Sequence, residues 1–308
     1  MYPVMQFKCR LTSPFHSSEQ NYSNLYTCAP YVLGTTIRGA VLRTLIDKHC
    51  KALEALQNDN PGYHEKCEHE CPIKPLFLEP TRFSFGMFEQ KRSYQGMRTR
   101  VGINRSKFAA AEEALLSLEV RYGDFCFKVM YPTLDTTLEK ELSQAVIETG
   151  RRLDDGGIGR LRSVGWGRYE VLSYGCIAPK TPEGGCRKYH FDFKTPYVLE
   201  KEAQSGEIPS DLLTKQLNEA LKATSSPEVK DVKVVDVQAH IPNLSYLRRW
   251  SDERRRKENY VVANSGSKLT VTFENDVPEA ALQLWEWGIG KFWYAGFGSF
   301  ESQQVNDT

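Results

Sequence analysis

Two glycine-rich loops with the same spacing place backbone amides beside arginine and aromatic side chains. Their glycines are Gly157, Gly159, Gly165 and Gly167 in the first loop, and Gly288, Gly290, Gly296 and Gly298 in the second. The neighbouring side chains are Arg151, Arg152, Arg160, Arg162, Trp166 and Arg168 in the first, and Lys291, Phe292, Trp293, Tyr294 and Phe297 in the second. Amides, guanidinium groups and aromatic faces together suit a phosphate backbone with unstacked bases. We therefore expect the first loop to bind RNA phosphates, and the second to stack bases or to pack against the first half.

The glycine loops have two other interpretations. A dinucleotide-binding fingerprint requires a strand, then glycines, then a helix, whereas both loops follow a helix-like stretch and precede a strand-like one. The order therefore predicts no nucleotide cofactor. Glycines also make tight turns without any ligand. The recurrence of one spacing beside arginines or aromatics favours a binding role over that alternative.

Residues 47–75 form a polar insertion in which cysteine and histidine are concentrated. The combination of Cys50, Cys67 and Cys71 with one histidine matches a Cys₃His structural zinc site. His64 is taken as the fourth ligand, with His49 and His69 as alternatives. A metal would order a segment that has little core of its own. The other interpretation is a solvated segment with free thiols.

Two further segments are strongly basic. Residues 91–107 are predicted to be a loop, and its basic side chains are Lys91, Arg92, Arg98, Arg100, Arg105 and Lys107. Such a cluster gives nucleic-acid affinity that is independent of base sequence and sensitive to salt. A second run, 248–257, contains six arginines and lysines around Trp250. It is predicted either to be a solvated face or to contact RNA or an acidic neighbour.

Composition limits the class of protein. The chain has 308 residues with a formal net charge of +1, so any nucleic-acid surface must arise from local clustering rather than from a global basic field. No run of about eighteen apolar residues is present, and no membrane partner is expected. The N-terminus lacks the apolar core of a signal peptide. Eight cysteines without a secretion signal indicate thiols in a reducing cytoplasm.

The elements that must position these residues follow the order β-α-β-β-α-β twice. Strands are predicted at 6–11, 81–88, 115–129 and 169–172, with helices at 34–46 and 138–153 and an irregular loop at 15–30. In the second half, strands are predicted near 190–193 and at 229–239 and 267–274, with helices at 212–223 and 278–287. This order predicts an α+β protein of two tandem ferredoxin-like (RRM-like) domains, each closed by a glycine-rich loop. Their expected bounds are 1–176 and 187–308, joined by a linker at 177–186.

Four stretches together resemble the RAMP superfamily of CRISPR-associated proteins. Residues 34–42, Gly-Thr-Thr-Ile-Arg-Gly-Ala-Val-Leu, are similar to the helix start Gly-Ser-Ser-x-Arg-Gly-Ala-Leu of that family. Residues 100–105, Arg-Val-Gly-Ile-Asn-Arg, are similar to its Arg-x-x-Ile-Asp-Arg motif. The two glycine loops are the third and fourth stretches. The likeness spans most of the chain and is weakest over 198–260.

Within that family, the two-domain layout and the first 110 residues most resemble the effector RAMP subunit of type III-D. The resemblance implies an antiviral subunit that holds the repeat-derived handle of a guide RNA (crRNA). Its implied partners are other RAMP subunits, the large subunit and, indirectly, target RNA. Arg38 and Gly39 are expected to meet phosphates at a helix N-terminus, where amides point outward. Residues 14–30 contain Glu19 but no aspartate, which argues against the target cleavage of backbone RAMP subunits.

Two alternatives remain open at the level of sequence. Some RAMP relatives process precursor guide RNA without metal, which requires a base for the 2′-hydroxyl. His16, near Tyr22 and Tyr26, is the candidate base, although a lone loop histidine is more often a hydrogen-bonding or RNA-contact residue. The other alternative is a bridging subunit that contacts protein and little RNA.

Overall fold

A computed structural model gives the three-dimensional structure of the chain. The structure describes residues 2–22, 25–49, 73–76, 81–104, 109–131, 136–152, 156–178, 182–203, 206–222, 231–251 and 256–305. Among these residues, no helix is both long enough and apolar enough to cross a membrane.

The first half combines two helices with eight strands. They are β1 (Val4–Leu11), β2 (Ser18–Tyr22), β3 (Leu25–Cys28), β4 (Tyr31–Val32), α1 (Gly34–His49), β5 (Arg82–Phe83), β6 (Gly86–Asn104), β7 (Ala109–Met130), α2 (Thr136–Arg151) and β8 (Tyr169–Ile177). The four main strands lie side by side in the order β6-β7-β1-β8, and each neighbouring pair is antiparallel.

Both helices pack against the same face of this sheet. In β1, Phe7, Cys9 and Leu11 are buried while Lys8 and Arg10 alternate outward, as a strand with one covered face requires. Helix α1 buries residues four apart, Ile37, Val41 and Leu45, which form one apolar stripe. The helices also meet each other, since Thr44 Oγ1 and Thr149 Oγ1 are 2.8 Å apart. The covered face therefore forms the core of the first half.

Strands β6 and β7 extend well beyond the sheet as a two-stranded ribbon, which we call the arm and define as residues 93–104 and 109–122. Gly123 marks the bend at its base, with φ of 111°, and a Cβ there would lie 2.0 Å from the Arg92 carbonyl oxygen. The sequence-based interpretation of 91–107 as a loop was wrong for the described residues 91–104. Residues 91–104 lack the apolar alternation by which strands are recognised in a sequence.

Residues 15–30 also differ from their expected irregular conformation. Strands β2 and β3 form an antiparallel pair, and β3 runs parallel to β7 beside Ser117 and Leu118. Phe15 makes an antiparallel bridge with Arg121 at the base of the arm. The segment that follows β1 therefore supports the arm.

The second half repeats this plan with a separate hairpin. Its elements are β9 (Lys188–Phe193), β10 (Tyr197–Val198), α3 (Ser210–Lys222), β11 (Val234–His240), β12 (Leu244–Ser251), β13 (Arg256–Ala263), β14 (Lys268–Phe273), α4 (Glu279–Trp285) and β15 (Phe300–Gln304). The main sheet has the order β11-β14-β9-β15 and is antiparallel, and β10, β13 and β12 form a second small sheet. Phe191, Leu217 and Trp285 are fully buried between this sheet and its helices.

The predicted α+β class is therefore confirmed, with four α-helices among the described residues. In both halves, the third and fourth main strands flank the first, and the second lies at the outer side of the third. The expected linker is partly structured against the second half. Its Gly185 donates to the Val277 carbonyl at 2.9 Å, and a Cβ at Gly184 would lie 2.5 Å from the Glu279 nitrogen.

Candidate functional site

The two glycine loops share one pattern of positive φ along the backbone. Each has positive φ at five positions with the same spacing, four of them glycines. The fifth is Leu161 in the first loop, with φ of 61°, and Phe292 in the second, with φ of 63°. A 3₁₀ turn follows each of these residues, Arg162–Val164 and Trp293–Ala295. The repeated spacing in the sequence thus encodes one loop structure used twice.

Each loop closes on the proline that follows the first strand of its half. Gly167 donates to the Pro14 carbonyl at 2.7 Å, and Gly298 donates to the Pro196 carbonyl at 2.9 Å. Gly157 and Gly165 likewise donate to carbonyls of the chain, those of Thr149 and Arg162. The sequence predicted that these amides point outward to a ligand. They donate to carbonyl groups of the chain instead. The glycines shape the loop, and recognition must come from its side chains.

The second loop packs against the first half. A Cβ at Gly34, the first residue of α1, would lie 2.1 Å from the Ala295 carbonyl oxygen. Phe297 is 1% exposed, and its ring meets that of Phe85 edge-on at 4.9 Å. Of the two roles expected for the second loop, the structure supports packing against the first half for Gly296 and Phe297. It gives no exposed stacking surface at Phe297.

This contact also involves the first turns of α1, where RNA contact was expected at Arg38 and Gly39. The guanidinium carbon of Arg38 lies 5.1 Å from the ring centre of Tyr294 in the second loop. The start of α1 lies against Ala295, so protein contacts this helix N-terminus, where phosphate binding was expected. Gly39 is exposed, with open space around it. RNA contact by Arg38 and Gly39 stays a prediction, and Arg38 already has a protein contact in the second loop.

Lys291 is the basic residue of the second loop, and it remains exposed. Its Nζ lies 4.4 Å from the ring centre of Tyr260 on β13 and 5.6 Å from that of Phe292. Gly288 and Gly290 lie below it at buried or half-buried positions, and a Cβ at Gly290 would lie 2.8 Å from the Tyr197 ring.

The first loop instead faces the arm. The guanidinium carbon of Arg100, on β6, lies 5.2 Å from the ring centre of Trp166. On the same loop, Arg160 is exposed and Arg162 is half-buried. Two predicted residues from distant parts of the sequence, Arg100 and Trp166, are thus brought together. Arg105 and Lys107 lie outside the described residues.

The arm also carries an aromatic pair that the sequence analysis missed. The rings of Tyr94 and Tyr122 stack at 4.8 Å with an interplanar angle of 10°, and the two residues are register partners across β6 and β7. Arg98 donates to the Tyr122 hydroxyl from Nε at 3.0 Å and from Nη2 at 2.8 Å. The signal available in the sequence was the even spacing of 94, 98 and 100, which places them on one face of a strand.

His16 is buried rather than open to a substrate. It is 1% exposed, its Nδ1 lies 2.7 Å from the Glu119 carbonyl oxygen, and its own carbonyl accepts from the Arg160 amide at 2.9 Å. Burial lowers the pKa of this imidazole, and the charge of Arg160 lowers it further. A general base must reach the proton that it removes. The contacts of His16 instead join the arm to the first glycine loop.

Several other predicted residues cannot be placed. The zinc set Cys50, His64, Cys67 and Cys71 lies outside the described residues. The alternative ligand His49 ends α1, where its Nε2 lies 2.7 Å from Glu141 Oε2. Of the basic run 248–257, residues 248–251 end β12 and 256–257 begin β13, and the side chains of the run are outside the described residues.

Comparison with known proteins gives one family match. The RAMP superfamily model matches residues 8–170, more than half of the chain, and this stretch includes the arm and the first glycine loop. No curated protein sequence matches the chain.

Solved structures are similar at low sequence identity. One described as a RAMP protein binding different RNA substrates has a TM-score of 0.48 at 11% identity, over 98% of this chain and 100% of that chain. CRISPR associated protein Cas6 has a TM-score of 0.43 at 9% identity, over 99% and 100% of the two chains. A chain of the type III-B Cmr-beta complex bound to cognate target RNA has a TM-score of 0.38 at 14% identity. That match covers 57% of this chain, which spans only 61% of the other.

Proposed function

The chain belongs to the RAMP superfamily, and we propose that it binds guide RNA as a subunit of a type III, III-D-like CRISPR effector complex. In this role it holds the repeat-derived handle of the guide and anchors other RAMP subunits and the large subunit. Target RNA is reached indirectly, through the guide. We interpret the two halves as ferredoxin-like domains and place the complex in the cytoplasm, where it acts in antiviral defence.

The observation that carries the proposal is the contact between Arg100 and Trp166. It joins the arm to the first glycine loop, so a basic strand and a basic, aromatic loop form one surface. A guanidinium held over an indole is already oriented, so it loses little freedom when it binds a phosphate. Arg160 and Arg162 add positive charge on the same loop. Such a surface fits single-stranded RNA, whose backbone is anionic and whose bases can stack.

The two glycine loops have different roles in this proposal. The second loop is largely used to hold the halves together, through Ala295 and Phe297. The first has the same pattern of positive φ but leaves Arg160 exposed. RNA binding is therefore assigned to the first loop and the arm. Lys291, over Tyr260, supplies at most a separate cationic contact.

The proposal is tested by equilibrium RNA binding with the full chain. The probe is a fluorescent single-stranded RNA of about 16 nucleotides, the upper end of usual single-strand site sizes. We expect Arg100→Ala to weaken binding and to reduce the slope of log K against log salt by about 1. Arg43→Ala, which removes the same charge from an exposed position on α1, is the matched control and should leave the slope unchanged. Absence of binding by the wild-type chain, or equal slopes for both variants, would contradict the proposed surface.

Preference for the handle needs its own comparison. An RNA carrying the repeat-derived handle of the neighbouring CRISPR array should bind more tightly than an RNA of the same length and scrambled sequence. Equal affinities would leave RNA binding in place and remove the assignment to the handle.

The endoribonuclease alternative gains no support from His16, because this side chain is buried against Glu119. The bridging alternative predicts that Arg100 and Trp166 contact protein rather than RNA. Crosslinking of bound guide RNA to Trp166 separates that alternative from the present proposal.

A further inference from the structure

We propose that Tyr94, stacked on Tyr122, is a platform on which a nucleobase of single-stranded RNA stacks. The proposal rests on the proposed function and adds to it a second contact point, separate from the first glycine loop. We call Tyr94, Tyr122 and Arg98 the tyrosine platform.

The platform is ordered by its own contacts. The two rings are nearly parallel, and their centres are 4.8 Å apart. Arg98 donates to the Tyr122 hydroxyl from both Nε and Nη2. The ring of Tyr122 is therefore held in position by Arg98, and the stacking contact orders the ring of Tyr94 in turn. A rigid aromatic surface loses little conformational entropy when a ligand binds.

The ring of Tyr94 is open to solvent. Tyr94 is 64% exposed, which is high for an aromatic side chain that already has a stacking partner on one side. Cross-strand aromatic pairs stabilise ribbons, and that role needs only the contact between the two rings. A structural role of this kind does not require the other face of the Tyr94 ring to be exposed. A base has a flat π face of matching size, so it can extend the stack by one layer.

The charges around the platform fit an anionic polymer. Arg98 lies beside the rings, and Arg92, 66% exposed at the base of the arm, makes a long ion pair of 3.6 Å with Asp124. Arg100 is six positions after Tyr94, which is about 20 Å along an extended strand. The platform and the Arg100–Trp166 contact are therefore distinct points along the arm, and one RNA strand that follows the arm reaches both. A protein partner would not require this combination of a free ring face and surrounding cations.

The experiment compares two RNAs and three proteins. The proteins are the wild-type full chain, Tyr94→Ala and Tyr94→Phe. The RNAs are a single strand of about 16 nucleotides and an abasic ribose-phosphate strand of the same length. We expect Tyr94→Ala to weaken binding of the normal strand about ten-fold, within the usual range for a lost base stack. Tyr94→Phe keeps the ring and should bind as the wild type does.

The abasic strand separates stacking from a merely structural role. Loss of the platform should not change the affinity for a strand without bases, so wild type and Tyr94→Ala should bind it equally. An equal loss on both strands, or no loss on either, would overturn the platform while leaving the proposed function standing. A wild-type chain that binds neither strand would overturn both. Thermal unfolding of each variant by circular dichroism verifies that the arm is intact, and Tyr94→Phe supplies the folded comparison.

Discussion

The guanidinium carbon of Arg82 lies 4.2 Å from the ring centre of Trp293, in the second glycine loop. Arg82 belongs to β5 of the first half, yet it is fully buried and donates to the carbonyls of Leu284 and Ala220 in the second. One side chain therefore joins the first sheet, the second loop and the carbonyl groups of two helices. The halves are held in one arrangement by a cation and a planar ring, in addition to apolar packing.

Replacement of Arg82 should cost much of the stability of the fold. In Arg82→Met, the carbonyls of Leu284 and Ala220 lose their buried donors, and the stack on Trp293 is lost. We expect a fall of roughly 3 kcal/mol in the free energy of unfolding, the scale of a broken buried charged hydrogen-bond network. Urea titration measures it. Arg92→Ala, an arginine 66% exposed, is the matched control and should change stability by no more than about 0.5 kcal/mol. Similar losses for the two variants would contradict the assigned role.

The sequence predicted elements that have their own periodicity and missed those that depend on distant contacts. The stripe of Ile37, Val41 and Leu45 and the paired glycine spacing both lie within one segment, so a single sequence displays them. The α+β class and the order of main elements follow from such local signals.

The arm, His16 and Arg38 show why other features of the fold and site could not be predicted from the sequence. The arm part of β6 is largely polar in sequence, and it pairs with β7 across the ribbon. His16 looked accessible because its segment is polar, but it is buried by Glu119, more than a hundred positions away. Arg38 likewise matched a family motif, while Tyr294, which contacts it, lies at the other end of the chain. Contacts of this kind cannot be read from the spacing of neighbouring residues.

Zinc content is a prediction that rests on sequence alone. The purified chain should contain about one zinc per molecule by elemental analysis, held by Cys50, His64, Cys67 and Cys71. Cys67→Ser and Cys71→Ser should each lose it, because serine does not replace a thiolate ligand of zinc. Cys126→Ser is the matched control, since Cys126 lies in β7, outside the insertion. A wild-type chain without metal would end the zinc hypothesis.

Acid should weaken the contact between Arg10 and Asp124. Arg10 donates from Nε and Nη2 to the two carboxylate oxygens at 2.7 and 3.0 Å, and this hydrogen bonding lowers the pKa of Asp124. A lowered pKa in the folded state means that the stabilisation is present above the unfolded value of about 3.9 and is lost as pH falls below it. Asp124→Asn should therefore be less stable than wild type at pH 7, and the difference should shrink toward pH 3. Urea titrations at both pH values test this, and a difference that does not change with pH would contradict it.

Three glycine-to-alanine variants separate backbone strain from steric clash in the first glycine loop. Gly165 has φ of 83° but no atom within 3.4 Å of a Cβ, so alanine there should cost only the left-handed conformation, about 1 to 2 kcal/mol. Gly167 has φ of 73°, and its Cβ would lie 1.7 Å from the Ile158 carbonyl oxygen, so Gly167→Ala should cost clearly more. Gly175, in β8, has neither positive φ nor a close neighbour, and alanine there should be neutral or slightly stabilising. Urea titration should rank the losses as Gly167, then Gly165, then Gly175. If Gly165→Ala were as stable as Gly175→Ala, the left-handed turn would not be what fixes glycine at that position of the repeated spacing.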